Sequence, residues 1–167
     1  VPQEPCHGGV EVNPAVLEET IIDRLTGDTG TGGLLASGAS LISNVYNHFR
    51  NPSDTLTDKP YIVVAVEDWT QDETYDTSGL SVNFRIHLFG ASRGGTAGLR
   101  TIIDRVFGNW KPGTAPTYGL HRWFPGAIAG TTMSVSAVFC TGGGTDHTDD
   151  YYQYVLRYSA VVTDTRA

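Results

Sequence analysis

The segment Leu80-Ser81-Val82-Asn83-Phe84-Arg85-Ile86-His87-Leu88, preceded by Pro60-Tyr61-Ile62-Val63-Val64-Ala65-Val66, decides how this chain folds. In the first of these, Leu80, Val82, Phe84, Ile86 and Leu88 alternate with Ser81, Asn83, Arg85 and His87, the period-two pattern of a strand with one buried face. The second is continuously apolar and β-branched, as expected of an inner strand covered on both faces. Directly afterwards Leu99, Ile102, Ile103, Val106, Phe107 and Trp110 recur at helical spacing and form one apolar stripe. Each surface needs a partner, and the simplest solution is that they cover one another.

Outward from this centre, Asp72 to Gly79 reads as the turn of an antiparallel hairpin. Upstream, Ile42, Val45, Tyr46 and Phe49 alternate imperfectly, so Leu41 to Phe49 is expected to be a strand, with Asn51 to Lys59 a polar loop. Asn13-Pro14 is a helix-start signal, because the Asn side chain can cap free N–H groups and Pro loses no hydrogen bond at the first helical position. Leu17, Ile21 and Leu25, with Val16 and Ile22, make that helix's stripe, Gly27 ends it, and residues 27–38 form a Gly- and Thr-rich loop. Residues 1–12, with two prolines and a Gly-Gly pair, read as an extended arm.

Downstream, Ser92 is the expected cap of the second helix, and Asn109 to Pro116 stops it. Tyr118 to Ile128 is irregular. Met133, Val135, Ala137 and Phe139 predict a third strand, and Tyr152, Tyr154, Leu156, Tyr158, Ala160 and Val162 a fourth, separated by a Gly-rich, acidic loop from Thr141 to Asp150. The fold class expected is α+β: an antiparallel four- to five-stranded sheet with two helices packed on one face, plus long loops and the N-terminal arm, in a single domain over residues 1–167.

Eighteen acidic residues against eleven basic ones give a net charge of −7, and no basic cluster longer than a pair occurs. Gripping nucleic acid requires cations that displace counterions from phosphates, so the balance excludes a DNA- or RNA-binding module of the ordinary kind. An acidic surface past which DNA slides is compatible with it. The charged fraction of 17% is low for a surface that faces only water, and subunit contacts are one way to use it. No apolar run approaches the roughly 20 residues needed to span a bilayer, and no signal-peptide pattern is seen, so a reducing cytosol is the expected site of synthesis. Cys6 and Cys140 are then expected to be free thiols, although a disulfide between them is the alternative.

Several residue sets could carry chemistry, and each has a plainer explanation. Cys140 with His121 or His147 could form a nucleophile and base, but a lone Cys in an expected strand is ordinarily a small core residue. Asp146, His147, Asp149 and Asp150 could hold a divalent cation, yet their spacing does not match an EF-hand. Ser92-Arg93-Gly94-Gly95 could hold an anion at a helix start, but lacks a P-loop lysine. Glu67 and Asp68, beside Trp69, are adjacent strand residues expected to point to opposite faces and so not to work as a carboxylate pair. The expectation is no catalytic residue, no metal ligand and no cofactor. The polar strand positions Ser81, Asn83, Arg85, His87, Ser134, Ser136, Gln153 and Arg157, interspersed with Val138, Val155 and Val161, suggest instead a face in contact with another subunit or with the arm.

The N-terminal helix, the Pro-Tyr-Ile-Val-Val strand after a polar loop, the Gly79–Leu88 strand running into Phe89-Gly90-Ala91-Ser92-Arg93, and the amphipathic helix that follows make the chain resemble the tail terminator (tail completion) proteins of long-tailed bacteriophages. The likeness covers residues 14–110 and continues beyond them by pattern only; the long Gly113 to Gly144 excursion departs from the smaller members. The resemblance implies a homo-oligomeric ring, a hexamer, seated on the last ring of the tail-tube protein, ending tube growth and docking the head through a head-tail connector or head completion protein. DNA would only pass through the lumen, no membrane would be involved, and the protein would belong to the virion tail or neck after assembly in the host cytoplasm. Interface residues would come from the Asp72 to Gly79 hairpin, the Thr141 to Asp150 loop and the arm; the family pattern supplies no catalytic residues. Its neighbours in the same class are other connectors and tail-tube subunits, and a ligand- or metal-binding α+β domain or enzyme is the reading from a different class.

Overall fold

A computed structural model describes residues 13–47, 59–74, 77–91, 95–148 and 151–164. Helix α1 (Pro14–Thr26) begins as its sequence demands: the Asn13 side chain accepts the Ala15 N–H at 2.9 Å, and Pro14 occupies the first turn. Leu17, Ile21 and Leu25 are its buried residues. Gly27 closes it by donating its N–H to the Asp23 carbonyl, but at φ −71° it does so without the left-handed turn that favours glycine.

The remaining elements are β1 (Val45–Tyr46), β2 (Tyr61–Thr74), β3 (Thr77–Ala91), α2 (Gly95–Phe107), β4 (Gly126–Ala127), β5 (Met133–Val135), β6 (Phe139–Thr148) and β7 (Tyr151–Asp164). The protein is α+β, with a mixed seven-stranded sheet in the order β1-β2-β3-β7-β5-β4 and β6 also paired to β7. β2 and β3 form the expected antiparallel hairpin, with Ile62 opposite Leu88 and Val64 opposite Ile86, but Asp72 to Gly79 is not its turn: Asp72 pairs with Gly79 and Thr74 with Thr77, so the strands run on through most of that segment. β3 in turn pairs with β7, placing Ile86 beside Leu156 and Phe84 beside Tyr158. The far edge of β7 is shared, by β6 along Tyr151–Ser159 and by β5 at Val162–Asp164.

Leu80, Val82, Phe84, Ile86 and Leu88 join Ile62, Val64, Leu156, Tyr158, Ala160 and Val162 in one core cluster. Leu17, Ile21 and Leu25 of α1 belong to it, as do Leu99, Ile102 and Val106 of α2. α1 lies against β1 and β2, whereas α2 lies against β3 and β7. The helices do not form the covering layer alone, because Leu34, Ile42, Leu120 and Val138 from irregular segments are buried in the same cluster. Within the α2 stripe only Leu99, Ile102 and Val106 are buried; Ile103 is half-buried and Phe107 is 38% exposed.

The sheet departs from the four to five antiparallel strands expected. Residues 41–49 yield only the two-residue β1, and it runs parallel to β2. Ser43 N–H to the Pro60 carbonyl and Ile62 N–H to the Asn44 carbonyl fix that direction. The expected strand over Met133–Phe139 is broken after Val135, since Val138 is drawn aside: it donates to the Trp123 carbonyl and accepts from Arg122 N–H at 2.6 Å. Of the segment expected as a loop, Thr141 to Thr148 is strand instead. Residues up to Thr148 form β6, whose three consecutive glycines carry no side-chain periodicity but pair with β7 through the backbone. The arm over residues 1–12, most of the Asn51 to Lys59 loop, the Ser92 cap and Cys6 lie outside the described residues, as do Asp149 and Asp150.

The end of α2 is locked to the rest by a close backbone approach. Gly108 (φ +109°) and Gly119 (φ +78°) both need conformations open to glycine, and a Cβ on Gly119 would stand 2.2 Å from the Gly108 Cα. The contact lets Leu120 N–H reach the Val106 carbonyl at 2.9 Å and His121 N–H the Phe107 carbonyl at 2.8 Å. Nearby, Asp28 binds Arg105 bidentately and accepts the Leu34 N–H at 3.0 Å, and the Arg105 guanidinium carbon lies 3.5 Å from the centre of the Tyr118 ring. Arg24 donates to the Gly119 and Pro116 carbonyls.

Candidate functional site

The pleat that sends even-numbered β3 residues into the core sends Ser81, Asn83, Arg85, His87 and Phe89 to the outer face of the sheet. The ladder sets Arg157 opposite Arg85, Val155 opposite His87 and Gln153 opposite Phe89 on β7, and Val63 opposite His87 and Tyr61 opposite Phe89 on β2. Two zones result. At one end Tyr61, Val63 and Phe89 form a separate buried apolar cluster, with Tyr46 packed against it. Tyr61 stacks on Phe89 at 4.9 Å between ring centres, and Tyr46 meets Tyr61 edge-on at 6.0 Å. His87, also buried, lies with Nδ1 2.6 Å from Gln153 Nε2.

The other zone is polar and hinges on a β-bulge. Val66 lies opposite Phe84 and Asp68 opposite Asn83, so Glu67 is the extra residue. The bulge overturns the expectation that Glu67 and Asp68 point to opposite faces. Glu67 is salt-bridged to Arg85, and Asp68 accepts from the Asn83 amide at 2.7 Å, so both carboxylates are turned to the outer face and both are partnered there. Arg85 and Arg157 stand directly opposite each other in the ladder, a like-charge arrangement that Glu67 offsets. The Arg85 Nε is buried with no hydrogen-bond partner. A bulge leaves no mark in composition or periodicity, which is why the sequence concealed this grouping.

Of the other polar positions, Ser134 is opposite Thr163 and Ser136 bonds to both main-chain groups of Val161 (2.8 and 2.9 Å), so the two serines hold β5 and its extension against β7. Val138 is in the main core, Val155 is buried on the outer face and Val161 is 41% exposed.

Cys140 and His121 do come together, but through the backbone: the Cys140 N–H donates to His121 Nδ1 at 3.2 Å, while Sγ lies 3.6 Å from the Gly142 carbonyl. Burial pushes the thiol pKa up, opposed by the bond to Gly142, which is the reverse of what activates a nucleophilic thiolate. Burial, aided by the Arg122 charge, lowers the His121 pKa. His121 stacks on Phe107 at 4.5 Å, and the Arg122 guanidinium sits 4.1 Å over the Trp110 ring, with Phe139 nearby. The sequence did not single out this aromatic cluster because its members come from three segments. Across the ladder from Cys140, the buried Tyr158 hydroxyl has no hydrogen-bond partner, and burial pushes its pKa well above the usual range.

Asp146 and His147 fall on β6, with side chains outside the described part, and among the described residues no group of three or more His, Cys, Asp or Glu is placed to hold a metal ion. No helix among the described residues is long and apolar enough to cross a membrane. A shallow depression of about 360 Å³ lies between α1 and the 123–129 segment, but Arg24 in its wall is already engaged with two carbonyls and over Trp123. No family model matches this chain, and no curated protein matches it.

Proposed function

We propose that this chain is a structural protein of a long-tailed bacteriophage, a tail terminator whose copies form a ring on the end of the tail tube, stop its growth and present the surface to which the head docks. The ring is a homohexamer, with the tube protein on one side and a head-tail connector or head completion protein on the other. It functions in the tail or neck of the virion without catalysis or cofactor. The likeness over residues 14–110 supplies the identity of the assembly.

The supporting observation on the fold is what the core leaves outside. The outer face combines an aromatic zone with neutral polar and mutually compensated charged groups, and Trp69, Phe107, Phe124, Phe139 and Val161 remain exposed. Large apolar side chains on a weakly charged surface suit burial between copies. The net charge of −7 suits a lumen through which DNA passes without being held.

Mass photometry and negative-stain electron microscopy of the purified chain, alone and with isolated tail tubes, test the reading. Rings that cap tube ends are expected. A chain that stays monomeric and leaves tube ends bare refutes it, and open-ended stacking of the chain by itself reassigns it as a tube subunit.

A further inference from the structure

Among the described residues the sheet has two edges without a strand partner. Beyond Val63, no described strand pairs with the outer side of β2, and β6 is paired to β7 alone. A strand edge carries a row of N–H and C=O groups ready to extend the ladder, and proteins that avoid such extension guard it with lysine, proline, bulges or inward-pointing charge. Val64–Thr70 contains neither Lys nor Pro, nor does Phe139–Thr145, and each departs from regular pairing at one place only, the bulge at Glu67 and the register shift between Cys140 and Gly142. The two acids of the first stretch are engaged with Arg85 and Asn83, so neither guards the edge as a bare charge.

Direction decides which edge meets which. β2, β3, β7 and β6 stand side by side and alternate in direction, so the two outer strands of this block of four run opposite ways. A second copy set beside the first in the same orientation therefore brings its β6 antiparallel to β2, in the pairing the rest of the block uses. The surfaces also match in bulk. Trp69, on the edge strand β2 and on the face that Val82 shares, is 51% exposed, while β6 has no side chain at Gly142, Gly143 and Gly144, and the space beside Gly142 and Gly144 is open.

We propose that copies of this chain join head to tail, the Val64–Thr70 edge of β2 in one copy pairing antiparallel with the β6 edge around Gly142–Gly144 in the next, so that the sheet continues from copy to copy. Such a contact is heterologous, and rotation between copies closes it into a ring. This pairing rests on the ring assembly proposed above and names its interface.

The test uses the full chain with both native cysteines replaced by serine. One tagged version carries Thr70→Cys and a differently tagged version carries Thr141→Cys, both at exposed positions that the antiparallel pairing brings side by side. Treatment of the mixture with a short bismaleimide is expected to link unlike tags, while each version alone gives no dimer. Gly144→Lys, placed where an added side chain meets open space, is expected to leave the melting temperature unchanged and to weaken association by about tenfold or more. Trp69→Ala is expected to weaken association likewise. Rings that form without the mixed link and tolerate Gly144→Lys overturn the edge pairing while leaving the ring reading intact. Links between two Thr70→Cys copies alone overturn it in favour of a two-fold contact, and a chain monomeric at every concentration overturns both.

Discussion

Asp28 and Arg105 are joined by two hydrogen bonds of 2.6 and 2.7 Å, which tie the loop after α1 to the last turn of α2 although the residues are far apart in sequence. Burial alone would raise the Asp28 pKa, but the bonds from Arg105 and from Leu34 N–H, with the charges of Arg105 and Arg24, outweigh it and hold the carboxyl below its usual range. The bond to Asp28 raises the Arg105 pKa in turn.

Asp28→Asn is accordingly expected to lower stability by about 1.5–3 kcal/mol at neutral pH, the range for hydrogen bonds to charged groups. A carboxyl depressed by folding contributes fully above its unfolded pKa and loses that contribution as pH falls through its folded value. Thermal melting across the acid range should therefore show the gap between parent and variant closing as pH drops below the ordinary carboxylate range. A gap independent of pH would mean that the ion pair is not its source.

Gly119→Ala places a methyl group 2.2 Å from the Gly108 Cα at a φ of +78°. Strain and overpacking together should cost about 2–4 kcal/mol. Gly113 has the same φ but open surroundings, so Gly113→Ala should cost only about 1–2 kcal/mol. Urea denaturation of the two variants separates backbone conformation from collision, and equal losses would remove the close approach from the account.

In α2, Ile102 is 2% exposed and Ile103 half-buried. Truncation of Ile102 to Ala is expected to cost about 2–5 kcal/mol, as a cavity in a packed core does, and Ile103→Ala distinctly less. Chemical denaturation checks the order. Reversal would mean that the helix is rotated from the orientation described.

Tyr158→Phe removes a buried hydroxyl that has no hydrogen-bond partner while keeping the ring stacked on Phe84 at 5.4 Å. Deleting a polar atom that has been desolvated without compensation should leave stability unchanged or raise it by up to about 1–3 kcal/mol. A loss in the melting curve would reveal a partner for that hydroxyl.

Glu67→Gln removes the carboxylate that neutralises Arg85, which stands opposite Arg157 in the ladder. A destabilisation of about 0.2–1 kcal/mol is expected from the uncompensated pair, and added salt should diminish it. Combining Glu67→Gln with Arg157→Gln should restore much of the loss, because the repelling partner is gone. Failure of the double variant to recover would assign the effect to the bulge itself.

Legibility in the sequence followed side-chain periodicity. The β2–β3 hairpin, β7, the Asn13 cap and the α1 stripe could be read because apolar residues recur there at the spacing of the element they form. β6 was hidden by Gly142, Gly143 and Gly144, whose pairing is entirely main-chain, and residues 136–138 misled because their alternation is genuine while their hydrogen bonds go to Trp123, Arg122 and Val161. The grouping of Glu67 and Asp68 on one face was not legible at all, since one inserted residue undoes the parity on which any reading of faces depends. The contact between Gly108 and Gly119 joins positions whose neighbourhood only the folded chain defines.

The inserted residue in β2 also fixes how this arm can shorten. Removing Glu67 alone would leave Val66 and Asp68 as successive rungs, still facing Phe84 and Asn83, so every later side chain would keep its side and only Arg85 would lose its counterion. Removing Asp68 or Trp69 with the bulge kept in place would invert the whole tip, presenting to solvent what had faced inward. The strand thus has one dispensable position, and its neighbours are indispensable as spacers whatever their chemistry.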